Sequence, residues 1–396
     1  MARTALLGWE MGAGLGHAHK LKIVGNEMER QGWRVIYALR NPETAPIVGI
    51  DPAAVVASTR WPRKPPEFLE KQNRPRTSLT FGQNLGFNGY HDSDLIHDRI
   101  LAWQAILDAV KPDLVVSDFS PTLNLACRGR VPLVVAGSGF LVPPADIERY
   151  PRLHDRASAP LFDELALAGN VNRALGRLGL PLIEALPEVM DGQERCVCTM
   201  AIFDPYDGMR REACIGTILE AMPELNEEPE DRLMVYLQKP ALARPETVEM
   251  LLALPLPATL YIPGMDEAMR ARFRDAGHEP LTGPADVTEV LPRVRAVISQ
   301  GGIGLASTAL LTGRPQLVLN THIEELLTGE AIERSGLGFR LGMGRASLPH
   351  VAEPLRQVCF DEEMLRCAVT IARQHRDLYA KPAREILVEH CNALVS

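Results

Sequence analysis

The sequence has no clustered positive charge and no long apolar segment. It holds 42 Lys and Arg against 50 Asp and Glu, for a formal net charge of −8, and its basic residues form no block. Because phosphate contacts need clustered Lys and Arg, nucleic acid is not expected as a partner. The most apolar stretch, 250–262, is too short to span a bilayer and contains two prolines. We therefore predict no transmembrane segment, although peripheral contact with a membrane stays open.

Cysteines that could pair or bind a metal are also scarce. The seven cysteines are spread along the chain, and only Cys196 and Cys198 lie close together. An odd number without a second Cys/His pair at ligand spacing argues against a disulfide framework and a zinc site. The N-terminus lacks a basic region followed by an apolar run, so no signal peptide is expected. These features predict a reduced, soluble, cytoplasmic protein.

Short β-branched runs alternate with longer helical patterns in both halves of the 396 residues. This alternation is typical of doubly wound parallel sheets in an α/β fold. The predicted strands are 4–8, 35–39, 114–117 and 133–136 in the first half, and 233–237, 258–262, 296–299 and 316–319 in the second. An acid- and proline-rich stretch between the two sets marks the domain junction. The predicted domains are 1–210, 211–378 and a C-terminal helical segment, 379–396, that packs back toward the first domain.

A glycine-rich turn, Gly12-Ala-Gly14-Leu-Gly16-His17, follows the first predicted strand. In a dinucleotide fingerprint a third glycine would stand where His17 stands, and an acidic residue would end the second strand. That strand ends in Leu39-Arg40 instead. The turn therefore does not favour NAD as a cofactor.

His17 is a candidate general base. The positive end of the helix dipole disfavours a charged imidazole, and a neutral imidazole can accept a proton. Asp118 follows the strand 114–117, so both side chains are expected at the carboxyl edge of one sheet, where Asp118 would orient His17. Structural alternatives remain open for both residues at this point: His17 caps its helix or packs against Trp33, and Asp118 caps the helix that begins near Ser120.

Other polar and aromatic residues near the first turn are candidates for acceptor binding. Glu10 precedes the turn and is a fallback base. Phe87 and Tyr90 belong to the Gly/Asn-rich segment 81–90, which is either a wall of an acceptor pocket or an ordinary surface loop. Asp92-Ser-Asp94 matches a metal-binding D-x-D pattern, but capping of the following helix explains it better.

The second half contains a similar strand, turn and helix. Residues 296–299 lead into Gln300-Gly301-Gly302-Ile-Gly304, whose bare amides at Gly301 and Gly302 can bind a pyrophosphate without metal. The helix ends at Gly313-Arg-Pro315, and after the next strand comes Glu324-Glu325.

This order of motifs resembles that of the inverting, metal-independent GT-B glycosyltransferases. The pattern of that family is a His-Gly-Gly-x-Gly-Thr turn, a helix that ends in Gly-x-Pro, and an acid–Gln pair after the next strand. The resemblance implies two Rossmann-like domains that face a central cleft. It also implies transfer of a sugar, with inversion, from a UDP- or dTDP-type donor to a hydroxyl of a small-molecule or lipidic acceptor, with no cofactor. His17 would be the base and Asp118 its orienter. The residues that would bind the donor are Gln300, Gly301, Gly302, Gly304, Glu324 and Glu325, and Phe140 would line the acceptor side.

The chain departs from that family pattern around the second turn. Gln300 replaces the family's phosphate-contacting histidine, and Leu305 replaces a threonine that follows the last glycine. Thr308 stands where a ribose-binding glutamate is common, and Glu325 replaces the glutamine of the acid–Gln pair. These departures put the donor's identity in question. They keep open the alternative of a catalytically degenerate GT-B shell that acts as a binding or partner protein.

Overall fold

The computed structural model describes residues 2–12, 14–61, 79–154 and 159–395. The chain forms two compact units, Met1–Glu220 with Lys381–Ser396, and Ala221–Ala380. The first division thus falls after Glu220, whereas the sequence places it after residue 210. The reason is that Ile215 and Ile218 pack into the core of the first unit.

The first unit is built on a six-stranded parallel sheet with the strand order β3-β2-β1-β4-β5-β6. Its strands are β1 Thr4–Trp9, β2 Arg34–Leu39, β3 Val55–Ala57, β4 Leu114–Asp118, β5 Leu133–Gly137 and β6 Glu194–Val197. Its α-helices are α1 Gly16–Arg30, α2 Phe81–Leu85, α3 Ser93–Val110, α4 Pro121–Cys127 and α5 Glu164–Arg177, joined by the C-terminal α13 Ala383–Leu394.

The second unit repeats this architecture with the strand order β12-β11-β10-β7-β8-β9, again parallel. Its strands are β7 Glu230–Tyr236, β8 Ala258–Tyr261, β9 Glu279–Pro280, β10 Val294–Ser299, β11 Gln316–Asn320 and β12 Gly338–Gly342. Its α-helices are α6 Pro245–Leu252, α7 Glu267–Asp275, α8 Val287–Val290, α9 Ile303–Leu311, α10 Ile323–Arg334, α11 Leu348–Phe360 and α12 Glu362–Leu378.

The C-terminal helix α13 belongs to the first unit. Leu387, Val388 and Cys391 are fully buried in the first core. Trp33 follows α1, and its indole Nε1 donates a hydrogen bond of 3.0 Å to Oδ1 of Asn392 in α13. Trp33 therefore contacts the last helix, and its indole is engaged there.

Each parallel sheet brings its candidate residues to one edge. In the first unit β1 lies between β2 and β4, and Trp9 at the end of β1 pairs with Asp118 at the end of β4. In the second unit β10 and β11 are neighbours, with Ser299 beside Val318. Ligands of open α/β sheets bind beyond the carboxyl ends of such strands. No helix in the described part of the chain is long and apolar enough to cross a membrane.

Candidate active-site residues in each unit

His17 and Asp118 meet at the carboxyl edge of the first sheet. His17 lies in the first turn of α1, and its Nδ1 is 2.9 Å from Oδ2 of Asp118. Asp118 is almost completely buried, and its side chain does not cap α4, which begins at Pro121. A carboxylate that accepts the Nδ1–H bond fixes the imidazole tautomer in which Nε2 is a proton acceptor.

The imidazole of His17 is held between two aromatic rings. It stacks on the indole of Trp9, with centroids 5.0 Å apart and an interplanar angle of 15°, and its centroid is 6.3 Å from that of Phe119. Phe119 has a φ of 48°, an uncommon value for a residue with a side chain, and its carbonyl accepts a 3.1 Å bond from the amide of Met11. Packing against Trp33, the structural alternative for His17, is therefore wrong.

Gly12 lies close to the outer nitrogen of His17. A Cβ at Gly12 would lie 2.5 Å from Nε2 of His17, so any side chain there would displace the imidazole. The φ of Gly12 is +89°, which also favours glycine. The absence of a side chain at Gly12 thus leaves room for the imidazole in this position.

Lys20 is a second partner of Asp118 that the sequence motifs did not reveal. Its Nζ lies 3.3 Å from Oδ1 of Asp118, while His17 holds Oδ2. Complete burial acts to raise the pKa of Asp118, but Lys20 first and His17 second bring that pKa below its ordinary value. The carboxylate is therefore ionised and shared between two groups on α1. The signal in the sequence is the spacing of His17 and Lys20, since residues three apart on a helix share a face.

Glu10 is a core residue and not a surface base. It is 0% exposed, and its carboxylate accepts hydrogen bonds from the indoles of Trp61 and Trp103 and from the amide and hydroxyl of Thr122. Burial, although opposed by these bonds, raises its pKa. The expectation that Glu10 contacts an acceptor or replaces His17 is therefore wrong, because both carboxylate oxygens are engaged inside the unit.

The aromatic segment 81–90 is helical, so the loop expected there is wrong. Thr80 caps α2 by accepting a 3.1 Å bond from the amide of Gln83, and a π-helical turn, Gly86–Tyr90, follows. Tyr90 is 0% exposed, and its ring centroid lies 5.3 Å from that of Trp61, on which it stacks. Tyr90 therefore cannot form the wall of an acceptor pocket. Phe87 is half-buried and meets the ring of Phe162 edge-on. Asp92 caps α3 through the amides of Asp94 and Leu95, as predicted.

Phe140 lies in a short loop after β5 and is 5% exposed. Its ring centroid is 5.6 Å from that of Phe81. A buried ion pair, with Nε of Arg210 2.7 Å from Oδ2 of Asp204, fastens this loop. The same guanidinium donates to the carbonyl of Gly139 at 3.0 Å. Phe140 is thus fixed by its neighbours, with only a small part of its surface accessible.

The second glycine turn separates into a structural and an exposed part. Gly301 has a φ of +88°, its amide donates to Oγ of Ser299 at 3.0 Å, and a Cβ there would lie 2.8 Å from a methyl of Val318. Its amide is therefore already used, contrary to the expectation that it is bare. Gly302 and Gly304 are exposed, and a Cβ at either would meet nothing within 4 Å.

The exposed amides lie in the first turn of α9. The first amide that bonds back along the helix is that of Ala306, to the carbonyl of Gly302. The amides of residues 303–305 consequently have no partner within the helix, and they carry the positive end of its dipole. Such a terminus favours an anion such as a phosphate.

Gln300 is engaged on both ends of its amide. Its Oε1 accepts a 2.7 Å bond from the amide of Gln238, and its Nε2 lies 3.4 Å from Oγ1 of Thr321. Gln300 is 7% exposed. It therefore ties β7, β10 and the segment after β11 together and brings no positive charge to the turn.

Glu325 caps its own helix. Its Oε2 accepts bonds from the amide and hydroxyl of Thr321, both at 2.7 Å, and its Oε1 lies 3.2 Å from Nε2 of His322. Glu325 is 6% exposed, so its expected role in binding sugar hydroxyls is not available to it. Glu324 beside it is only half-buried.

His322 is an ionisable candidate that the family pattern did not mark. Its side chain is 58% exposed at the start of α10, next to the Gln300–Thr321 contact. Burial acts to lower its pKa, but the hydrogen bond and charge of Glu325, with Glu324, raise that pKa overall. The sequence signal was the spacing of His322 and Glu325 across the first helical turn.

The other departures in α9 are internal. Thr308 is 1% exposed and donates its hydroxyl to the carbonyl of Gly304 at 2.9 Å. Leu305 packs against the small cluster around Met234 and Val297. Within the described ranges, no group of three or more His, Cys, Asp and Glu side chains is arranged to hold a metal ion.

Solved glycosyltransferases share this fold over nearly the whole chain. CalG4, the calicheamicin glycosyltransferase, is 19% identical with a TM-score of 0.66, over 100% of this chain and 98% of that one. The spinosyn rhamnosyltransferase SpnG, complexed with spinosyn aglycone, is 14% identical with a TM-score of 0.68, over 98% and 100%. VinC in complex with dTDP is 14% identical with a TM-score of 0.66, over 99% of each chain. The predicted fold of two Rossmann-like units, that of GT-B glycosyltransferases, is confirmed.

Sequence comparison gives shorter matches. Two uncharacterized proteins, from Mycobacterium bovis and Mycobacterium tuberculosis, are each 26% identical to this chain over 132 residues. The match covers 33% of this chain and 30% of each relative's length. No protein-family model matches the chain.

Proposed function

We propose that this protein is an inverting glycosyltransferase that moves a sugar from a nucleoside diphosphate to a hydroxyl of a small-molecule acceptor. One observation carries the proposal. The Nδ1 of His17 is held by the buried carboxylate of Asp118, which leaves Nε2 as the nitrogen that can accept a proton, the arrangement of a general base. The shared fold with known glycosyltransferases supports the same reaction class.

The first unit supplies proton transfer. The acceptor O–H gives its proton to Nε2 of His17 as the oxygen attacks the anomeric carbon of the donor. The bond from that carbon to the phosphate oxygen breaks, and the nucleoside diphosphate leaves with the electron pair. Attack opposite the leaving group inverts the anomeric carbon, and ionised Asp118 stabilises the imidazolium that forms.

The second unit supplies binding of the leaving group. The exposed turn at Gly302 and Gly304, with the first-turn amides of α9, would hold the diphosphate. The groups that would donate hydrogen bonds to the diphosphate are backbone amides, so we propose that sugar transfer needs no metal. Since Thr308 is buried and bonded within its helix, the donor's ribose must be held by other residues.

The proposed donor is a uridine or thymidine diphosphate sugar. VinC is complexed with dTDP, and another structure of SpnG is complexed with thymidine diphosphate. SpnG is also complexed with an aglycone, which supports a small organic acceptor here. A protein that kept the fold but lost the donor site would bind none of these nucleotides.

A thermal-shift series with purified protein tests the donor site. We expect UDP or dTDP, in EDTA and without added metal, to raise the Tm with a dependence on nucleotide concentration, because a ligand that binds only the folded state stabilises it. GDP serves as the comparison base. Turnover is then tested with the sugar conjugate of the nucleotide that raises the Tm. Mass spectrometry measures transfer of the sugar to a panel of hydroxylated aglycones. No stabilisation at millimolar nucleotide would favour the catalytically degenerate shell.

His322→Ala is expected to weaken binding of the donor about tenfold, because a hydrogen bond to a charged group contributes about 1.5 kcal/mol or more. We propose that the His322 imidazolium supplies the positive charge that Gln300 lacks. Because Glu325 raises the pKa of His322, the charge is present at low pH and is lost as pH rises through that pKa. Nucleotide affinity of the unmodified protein should therefore fall across that range relative to that of His322→Ala, which reports the titration of the nucleotide's own phosphate alone.

Isothermal titration with the nucleotide from pH 5.5 to 8.5 measures this pH dependence. His350→Ala is a matched control, since His350 is also an exposed histidine of the second unit. Equal pH dependence in the His322 variant and the unmodified protein would contradict the assignment.

A further inference from the structure

Lys20 and His17 share one buried carboxylate from the same face of α1. The Nζ of Lys20 lies 3.3 Å from Oδ1 of Asp118, and Nδ1 of His17 lies 2.9 Å from Oδ2. The side chain of Asp118 is 4% exposed and that of Lys20 is 21% exposed. The site is therefore a three-membered charge group, in which each carboxylate oxygen has its own cationic or ionisable partner.

The residues around the Asp118 carboxylate determine the charge balance of this group. His17 and Lys20 approach Asp118 from α1, and Cys198, which follows β6, faces it from the sheet. Burial raises the pKa of the Cys198 thiol to about 12, so the thiol is neutral at physiological pH. A Cβ at Gly137 in β5 would lie 3.5 Å from Oδ1 of Asp118, so β5 approaches with backbone only. Lys20 is thus the counter-charge that pairs with Oδ1 of Asp118.

A carboxylate that already has a counter-charge stabilises a second cation less. Without Lys20, ionised Asp118 would favour the imidazolium form of His17 strongly, because a buried ion pair attracts in a low dielectric. With Lys20 in place, protonation of His17 makes two positive charges share a single negative one. A base that is already protonated cannot accept a proton from an acceptor hydroxyl.

We propose that Lys20 is a positioning residue that opposes charging of His17: it holds Oδ1 of Asp118, leaves Oδ2 turned to the imidazole, and shares the negative charge that would otherwise stabilise the imidazolium. The catalytic consequence rests on the proposed transferase function, whereas the electrostatic effect does not. If transfer occurs, loss of Lys20 should move the acidic limb of the kcat/KM profile to higher pH.

Histidine titration by NMR tests the electrostatic effect without donor or acceptor. Protein labelled with ¹³C-histidine is titrated, and the His17 signal is identified by its loss in His17→Gln. In Lys20→Met we expect half-protonation of His17 at a pH about one unit higher than in the unmodified protein, the size expected when a neighbouring charge is removed from a partly buried site. Lys20→Arg keeps the charge and should restore the original midpoint.

Lys22→Met is the matched control. It removes the same charge from the same helix, but Lys22 makes none of the ion pairs found in the described part of the chain. Solvent and salt screen such a charge, so its loss should move the His17 midpoint far less. Lys20→Gln repeats the test in a polar side chain if Lys20→Met does not fold.

Two results would overturn the proposal: an unchanged or lower midpoint in Lys20→Met, or an equal rise in Lys22→Met. Failure of the transferase function is seen separately, as absence of transfer by the unmodified protein while the titration still gives its answer. When both hold, the midpoint and the acidic limb of kcat/KM should move together in Lys20→Met.

Discussion

Replacing His17 with alanine is expected to lower kcat for sugar transfer by about 10²–10⁴-fold, the contribution of a positioned general base. The reason is that we propose His17 as the general base, with its Nδ1 held 2.9 Å from Oδ2 of Asp118. Nucleotide affinity should be unchanged, because the proposed nucleotide site lies in the second unit. Single-turnover transfer and isothermal titration on the same preparation measure the two quantities.

His19→Ala is the control for this variant. His19 lies on the same helix but is exposed, so it loses an imidazole without touching the Asp118 carboxylate. Asp118→Asn should also slow transfer. The asparagine amide can turn its NH₂ group toward Nδ1 of His17, and the tautomer with a proton on Nδ1 is then no longer fixed. Turnover of His17→Ala within a few-fold of the unmodified protein would disprove the assignment of His17 as base.

How far the sequence predicts this fold depends on where each strand lies in its sheet. All eight predicted strands are present, and they are the inner strands of the two sheets. The strands that were not predicted, β3, β6, β9 and β12, are the four sheet edges. Inner strands of parallel sheets are buried on both faces and appear as continuous apolar runs. Edge strands are short and partly exposed, as in the two-residue β9 with its proline, so the apolar signal is weak.

The candidate site follows a similar rule. His17 and Asp118 could be placed together because topology alone brings the ends of β1 and β4 to one edge. Glu10 could not, since its burial depends on the indoles of Trp61 and Trp103, which come from distant parts of the chain. Nothing in a sequence states which carboxylate faces inward when several lie near one turn. Side-chain direction within a loop is set by tertiary contacts.

The second turn shows the same limit. Gly301 and Gly302 look alike in sequence, yet the former has a positive φ and uses its amide internally, while the latter is exposed. Glu325 was expected to bind a sugar, but capping of α10 occupies it. Helix capping and ligand binding draw on the same residue types at the same positions, so sequence does not separate them.

Replacing Gly302 with aspartate is expected to lower nucleotide affinity at least 10²-fold, because like charges brought together cost several kcal/mol. The fold should tolerate the change. Gly302 has φ −58° and ψ 129°, values open to any residue, and a Cβ there meets nothing within 4 Å. It is also the residue that caps α9, where aspartate is favourable. The added carboxylate would thus occupy the same amides that the diphosphate needs.

Gly302→Ser isolates the effect of charge. Serine caps the same helix with a shorter side chain that carries no negative charge, so nucleotide affinity should fall much less than with aspartate. Both variants should keep the Tm of the ligand-free protein or raise it slightly, which separates loss of binding from loss of folding. If the aspartate variant binds UDP or dTDP as tightly as the serine variant, the diphosphate is not held at the start of α9. The donor site must then be sought elsewhere in the second unit, beginning with the exposed His322 at the start of α10.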